Sequence, residues 1–96
     1  MTHTVASALN ALQTHRVVAV IRAPSPQLAY EAATVLIENG ITGIEITFTT
    51  PDAAMAIDKC VERHGDSALI GAGTVLTLDQ VASAQQAGAH FLVSPG

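Results

Sequence analysis

Glu45 lies between Ile44 and Ile46 in an apolar run that continues through Thr47, Phe48 and Thr49 to Pro51. A carboxylate on so apolar a strand must be paired, protonated or put to use, and the use that suits it is proton transfer. Arg22 ends another apolar run, where its planar fork can hold a carboxylate or a phosphate. Thr74 follows Gly71, Ala72 and Gly73, so a hydroxyl or backbone donor can reach the same anion while the glycines let the backbone come close. From the residues alone, an ion pair between Glu45 and Arg22 is an equal alternative to catalysis.

These side chains stand at the ends of four apolar runs, 17–22, 41–49, 68–74 and 91–95. An amphipathic stretch follows each of the first three. A helix is expected at the start, with Thr4 as its cap and Val5, Ala8, Leu9 and Leu12 on one face. Ser25 as N-cap and Pro26 at the first position open the next helix, whose stripe reads Leu28, Ala32, Val35 and Leu36 before Gly40. In the second unit Thr50 is the expected cap, Pro51 and Asp52 form the first turn, and Ala54, Ile57 and Val61 face inward up to Gly65. Thr77 and Gln80 have capping-box spacing ahead of Val81, Ala84 and Ala87.

Strands separated by helix-length connections pair in parallel through right-handed crossovers, which gives an α/β fold. Alternation separates a barrel from an open doubly wound sheet. Ile44, Ile46 and Phe48 point to one face, while Glu45, Thr47 and Thr49 point to the other. A face carrying an acid and two hydroxyls suits the mouth of a (β/α) barrel better than a second helical layer. Residues 1–96 then form a single partial domain, the first four βα units of a TIM-type barrel, with open sheet edges.

Eight acidic residues against four basic ones, with no basic cluster, argue against nucleic acid or an anionic membrane as a partner. No segment is long and apolar enough to span a bilayer and the start lacks a secretory pattern, so cytoplasm is the expected compartment. Cys60 is alone, which rules out an internal disulfide and makes a zinc site a poor reading; it is read as a small helix side chain. His3, His15, His64 and His90 fall on the side of the units away from the strand ends and are read as solvated or capping, and Lys59 as solvated. Residues 71–74 fail as a dinucleotide fingerprint, because Leu76 stands where the third glycine belongs.

Four motifs now stand in order: VAVIR at 18–22, IEITFTTP at 44–51, IGAGTV at 70–75 and FLVSPG at 91–96. Together they resemble the amino-terminal half of the 2-keto-3-deoxy-6-phosphogluconate (KDPG) and 4-hydroxy-2-oxoglutarate (KHG) aldolases. The resemblance implies a trimeric (β/α)₈ class I aldolase that needs no metal or other cofactor and releases pyruvate from a small 2-keto acid. It implies that Glu45 is the general acid/base, that Arg22 and Thr74 lie near the pyruvate carboxylate, and that Pro95 lines the same pocket. Thr49 stands where some members carry an arginine, which shifts carboxylate binding towards Arg22. The family's Schiff-base lysine belongs to the sixth strand, outside these residues, so the 96-residue chain alone is expected to be inactive. The alternative is a non-catalytic half-barrel that self-associates through its open edges.

Overall fold

The computed structural model describes residues 17–95. Its elements alternate: β1 (Val18–Ile21), α1 (Pro26–Glu38), β2 (Gly43–Thr47), α2 (Ala53–His64), β3 (Leu69–Gly73), α3 (Leu78–Gln86) and β4 (Phe91–Leu92). The helix expected over 5–12 lies outside the described residues. All neighbouring strands are parallel and their spatial order is β1-β2-β3-β4. A sheet that adds each new strand on the same side contains no reversal point, unlike the centre of a doubly wound fold. Each crossover then places its helix on the same face.

That face is the dry one. Ile44 and Ile46 from β2, Ile57 and Cys60 from α2, and Ile70 and Ala72 from β3 are all fully buried there. At roughly 1.5–3 kcal/mol for each large aliphatic side chain taken out of water, this layer is the main stabiliser of the chain. On α1 the buried positions are Ala29 and Ala33, with Leu36 and Ile37 packed beside them. The expected stripe is therefore rotated: Leu28, Ala32 and Val35 are exposed, and the small alanines let the helix lie close on the sheet. On α2 the inward set is Ala53, Ala56, Ile57, Cys60 and His64, while Ala54 and Val61 are only half-buried at its margin.

Two caps match their sequence signals. Ser25 Oγ accepts from Leu28 N–H at 3.2 Å, and Thr77 with Gln80 closes a complete capping box. The cap expected at Thr50 is not formed. Asp52 occupies the cap position in a left-handed backbone conformation (φ 50°) without a side-chain cap bond, and α2 begins at Ala53. Thr50 is buried, and its hydroxyl accepts instead from Ala23 N–H of the loop after β1, at 3.1 Å.

His64 also departs from its expectation as a solvated or capping residue. It is buried, its Nε2 lies 3.0 Å from Thr34 Oγ1, and burial together with Arg63 lowers its pKa from 6.5. His90 is half-buried and its Nδ1 accepts from Ile70 N–H at 3.1 Å, bracing the start of β4 against β3. Cys60 is fully buried, which pushes its thiol up to about 11.

Candidate active site

The opposite face of the sheet carries the candidate residues in rows set by strand register. Val20, Glu45, Gly71 and Phe91 are successive partners across all four strands, and Thr47 pairs with Gly73 one step further on. Large side chains on β2 and β4 thus flank a glycine on β3. A Cβ at Gly71 would collide with the Phe91 ring, and one at Gly73 with the Glu45 carboxylate. The two glycines provide the space into which the ring and the acid lean. Interleaving of side chains from alternate strands is how a parallel barrel fills its interior.

This changes the role expected of the glycine run. Gly71 and Gly73 admit neighbouring side chains of this chain, the acid among them. Ala72 between them faces the opposite way and is fully buried in the helix-side core.

Glu45 itself is half-buried and forms no hydrogen bond or ion pair among the described residues. The ion pair with Arg22 is not made. Arg22 Nε instead donates to Thr49 Oγ1 at 2.9 Å, and Thr49 Oγ1 lies 2.7 Å from Thr47 Oγ1. Thr47 is almost completely buried, so this short relay anchors an exposed guanidinium to the rigid end of β2. With Nε engaged, the two terminal nitrogens of the fork remain available for a planar anion.

The chain leaves β2 immediately after Thr47, because Thr50 N–H closes a turn onto Thr47 O at 3.0 Å. Thr49 therefore sits in a turn and not on the strand as expected, yet alternation still returns its hydroxyl to that of Thr47.

Thr74 directly follows β3 with φ 53°, a left-handed conformation that is rare for a β-branched residue and costs on the order of 1–3 kcal/mol. Strain of this kind gathers where a backbone is held for a ligand. Pro95 is exposed and lies past β4, which pairs over only two residues, shorter than the run 91–95 suggests. The structure thus brings Arg22, Thr49 and Thr47 into one bonded group and places Glu45 on the face shared with Thr47. Thr74 ends the adjacent strand, and Pro95 is not joined to the group by a hydrogen bond.

The sequence gives no sign of Phe91 as a residue of this face, and it suggests for Gly71 and Gly73 an anion cradle where the structure shows room for Phe91 and Glu45. Their signal is a pairing of glycine with a bulky partner on the next strand, visible only once register is known. Among the described residues no group of three or more His, Cys, Asp or Glu side chains could hold a metal ion, and no helix is long and apolar enough to cross a membrane.

The structure is a run of parallel βα units with an acid inside β2, on the face away from the helices, and an anchored arginine just past β1, and (β/α) barrels of this kind carry their sites at the carboxyl ends of the strands. The family profile described as KDPG and KHG aldolase matches residues 8–96. A 2-dehydro-3-deoxy-phosphogluconate aldolase of Treponema pallidum is 45% identical over 86 residues, covering 90% of this chain and 40% of that protein. The KHG/KDPG aldolase of Escherichia coli K12 is 38% identical over 90 residues, covering 94% and 42%. Among solved structures, a Legionella pneumophila KDPG aldolase holding pyruvate as a covalent carbinolamine superposes with a TM-score of 0.68 at 38% identity, covering 82% of this chain and 37% of that one.

The chain belongs to the KDPG and KHG aldolase family. It spans about two-fifths of the length of the relatives it matches.

Proposed function

We propose that these residues are the amino-terminal half of a class I aldolase (β/α)₈ barrel. The enzyme cleaves 2-keto-3-deoxy-6-phosphogluconate to pyruvate and glyceraldehyde 3-phosphate, or 4-hydroxy-2-oxoglutarate to pyruvate and glyoxylate. The observation that carries the reading is the Glu45 carboxylate leaning over Gly73, without a hydrogen-bond or ion-pair partner among the described residues, on the face that also holds Thr47 and its relay to Arg22. An acid with no partner among the described residues, on the strand whose end anchors a cation, is equipped to exchange protons with a bound keto acid.

In this reading the Arg22 fork and the strained Thr74 segment grip the carboxylate of the pyruvyl group, and Pro95 lines the pocket. An amine attacks the C2 carbonyl, water leaves, and the resulting iminium accepts the electron pair of the C3–C4 bond as it breaks. Glu45 supplies the proton that lets water depart and takes the proton from the C4 hydroxyl. The amine is a lysine outside these 96 residues. Lys59, the sole lysine of the sequence, is directed to Gln27 on α1 at 2.9 Å, in the helical layer. The carbinolamine held by the Legionella relative supports this chemistry. The working form is proposed to be a cytoplasmic homotrimer.

Borohydride reduction in the presence of pyruvate tests the reading. The protein extended to the length of its relatives should gain one covalent pyruvyl adduct, and the 96-residue chain should gain none. Glu45→Gln in the extended protein should lower the cleavage rate roughly 10²–10⁴-fold with the fold intact. Trapping on Lys59, or full activity of that variant, would overturn the proposal.

A second reading, a non-catalytic half-barrel that self-associates, has one observation in its favour. Val17, Val18 and Val20 along β1 and Leu92 and Val93 at β4 are exposed at the two sheet edges. Sedimentation of the 96-residue chain separates the readings, since a folded monomer leaves those edges without a self-partner.

A further inference from the structure

Three cations lie among the described residues, and two of them share one recess. Lys59 and Arg63 stand one turn apart on α2, and with Tyr30 and Glu62 they line a surface cavity of about 420 Å³ between α1 and α2. In a chain with eight acids and four bases, the ordinary expectation is that each of these cations pairs with a carboxylate. Neither does. Lys59 Nζ donates to the neutral Gln27 side chain at 2.9 Å and sits 5.3 Å from the centre of the Tyr30 ring. Arg63 Nη1 donates to the Tyr30 hydroxyl at 2.9 Å.

Neutral partners fix the positions of both charges without cancelling them. Because the phenol oxygen accepts from Arg63, its own proton is free to point elsewhere. The recess therefore offers unused hydrogens on the ammonium, the guanidinium and the phenol, with two formal positive charges opposed at the rim by Glu62. Tyr30 also stacks on the His64 ring, 6.3 Å away and inclined by 30°. That stacking makes the recess more ordered than a pair of solvated surface cations.

We propose that this recess is a binding site for a phosphate-type oxyanion, separate from the candidate active site. A tetrahedral dianion matches two monovalent donors plus a neutral hydroxyl, and a phosphate ion or the phosphoryl group of a small metabolite presents the same chemistry. The site lies on the outer helical layer, whereas Glu45 and Arg22 lie on the opposite side of the sheet or at its carboxyl edge.

Tyrosine-selective NMR tests it on the protein at its full length, with the Tyr30 signal assigned by its loss in Tyr30→Phe. Titration with inorganic phosphate should shift that signal saturably, and chloride at matched ionic strength should not. Lys59→Gln and Arg63→Gln should each weaken the response about tenfold or more, while Glu45→Gln leaves it unchanged. Glycerol 3-phosphate binding more tightly than phosphate identifies a phosphorylated metabolite as the ligand; equal binding identifies the ion itself. A response that is linear, equal with chloride, or indifferent to both substitutions overturns the proposal.

Discussion

The two faces of the sheet are built on opposite terms. The helix-side face is a dry aliphatic layer in which Ile44, Ile46, Ile57 and Ile70 are completely buried. The other presents Val20 at 62% exposure beside a half-buried acid and two glycines. Strand alternation separates them by a single residue, so Ile44, Glu45 and Ile46 belong to different environments while adjacent in the chain. Stability is concentrated on one side, and the other is left free to carry groups that a packed core would reject.

Core truncation should break the comparison most sharply. In the 96-residue chain, Ile44→Ala should lower unfolding free energy by about 2–5 kcal/mol and Val20→Ala by less than about 0.5 kcal/mol, as read by chemical denaturation. Equal costs would mean that the two faces are not different in kind.

Gly73→Ala comes next, because its methyl would enter the space held by the Glu45 carboxylate. It should cost about 1–3 kcal/mol and, in the extended protein, reduce cleavage along with it. Gly40→Ala serves as the control, since its Cβ would meet nothing and its φ of 95° alone sets the penalty.

A smaller effect is expected from Thr49→Val, which removes the acceptor for Arg22 Nε. In the extended protein KM for the keto acid should rise about tenfold with little change in kcat, a loss on the order of 1.4 kcal/mol. A fall in kcat alone would place Thr49 in the proton chemistry instead.

The smallest is a pH effect on the helix side. His64 has a lowered pKa in the fold, so protonation favours the unfolded chain. Its contribution is present above pH 6.5 and is lost as pH falls through the depressed folded value. His64→Gln should flatten that acid limb of the stability profile measured by thermal unfolding.

Much of this arrangement was legible in the sequence. The four strands with the three helices between them, the capping box at Thr77 and the turn at Gly40 follow from local chemistry. The alternation that puts Glu45 opposite Ile44 is equally local. What could not be read depends on neighbours distant in sequence. Thr50 looked like a helix cap because its type and place fit one, but the amide of Ala23 competes for its hydroxyl. Leu28 and Val35 looked inward because they are large, yet close helix-to-sheet approach favoured Ala29 and Ala33. Gly71 and Gly73 resembled a ligand cradle, and only pairing with β2 and β4 reveals which side chains occupy their space. The burial of His64 is hidden in the sequence because its partner Thr34 lies on another helix.

The bond from Ala23 N–H to Thr50 Oγ1 ties together the loops that follow β1 and β2. Arg22 and Thr49 are each one residue from that link and are themselves bonded. The two loops are thus fastened at adjacent points, like a hinge with two pins. Motion that lifts the guanidinium away must also strain the threonine turn, so the two loops at this end of the sheet would shift as one body.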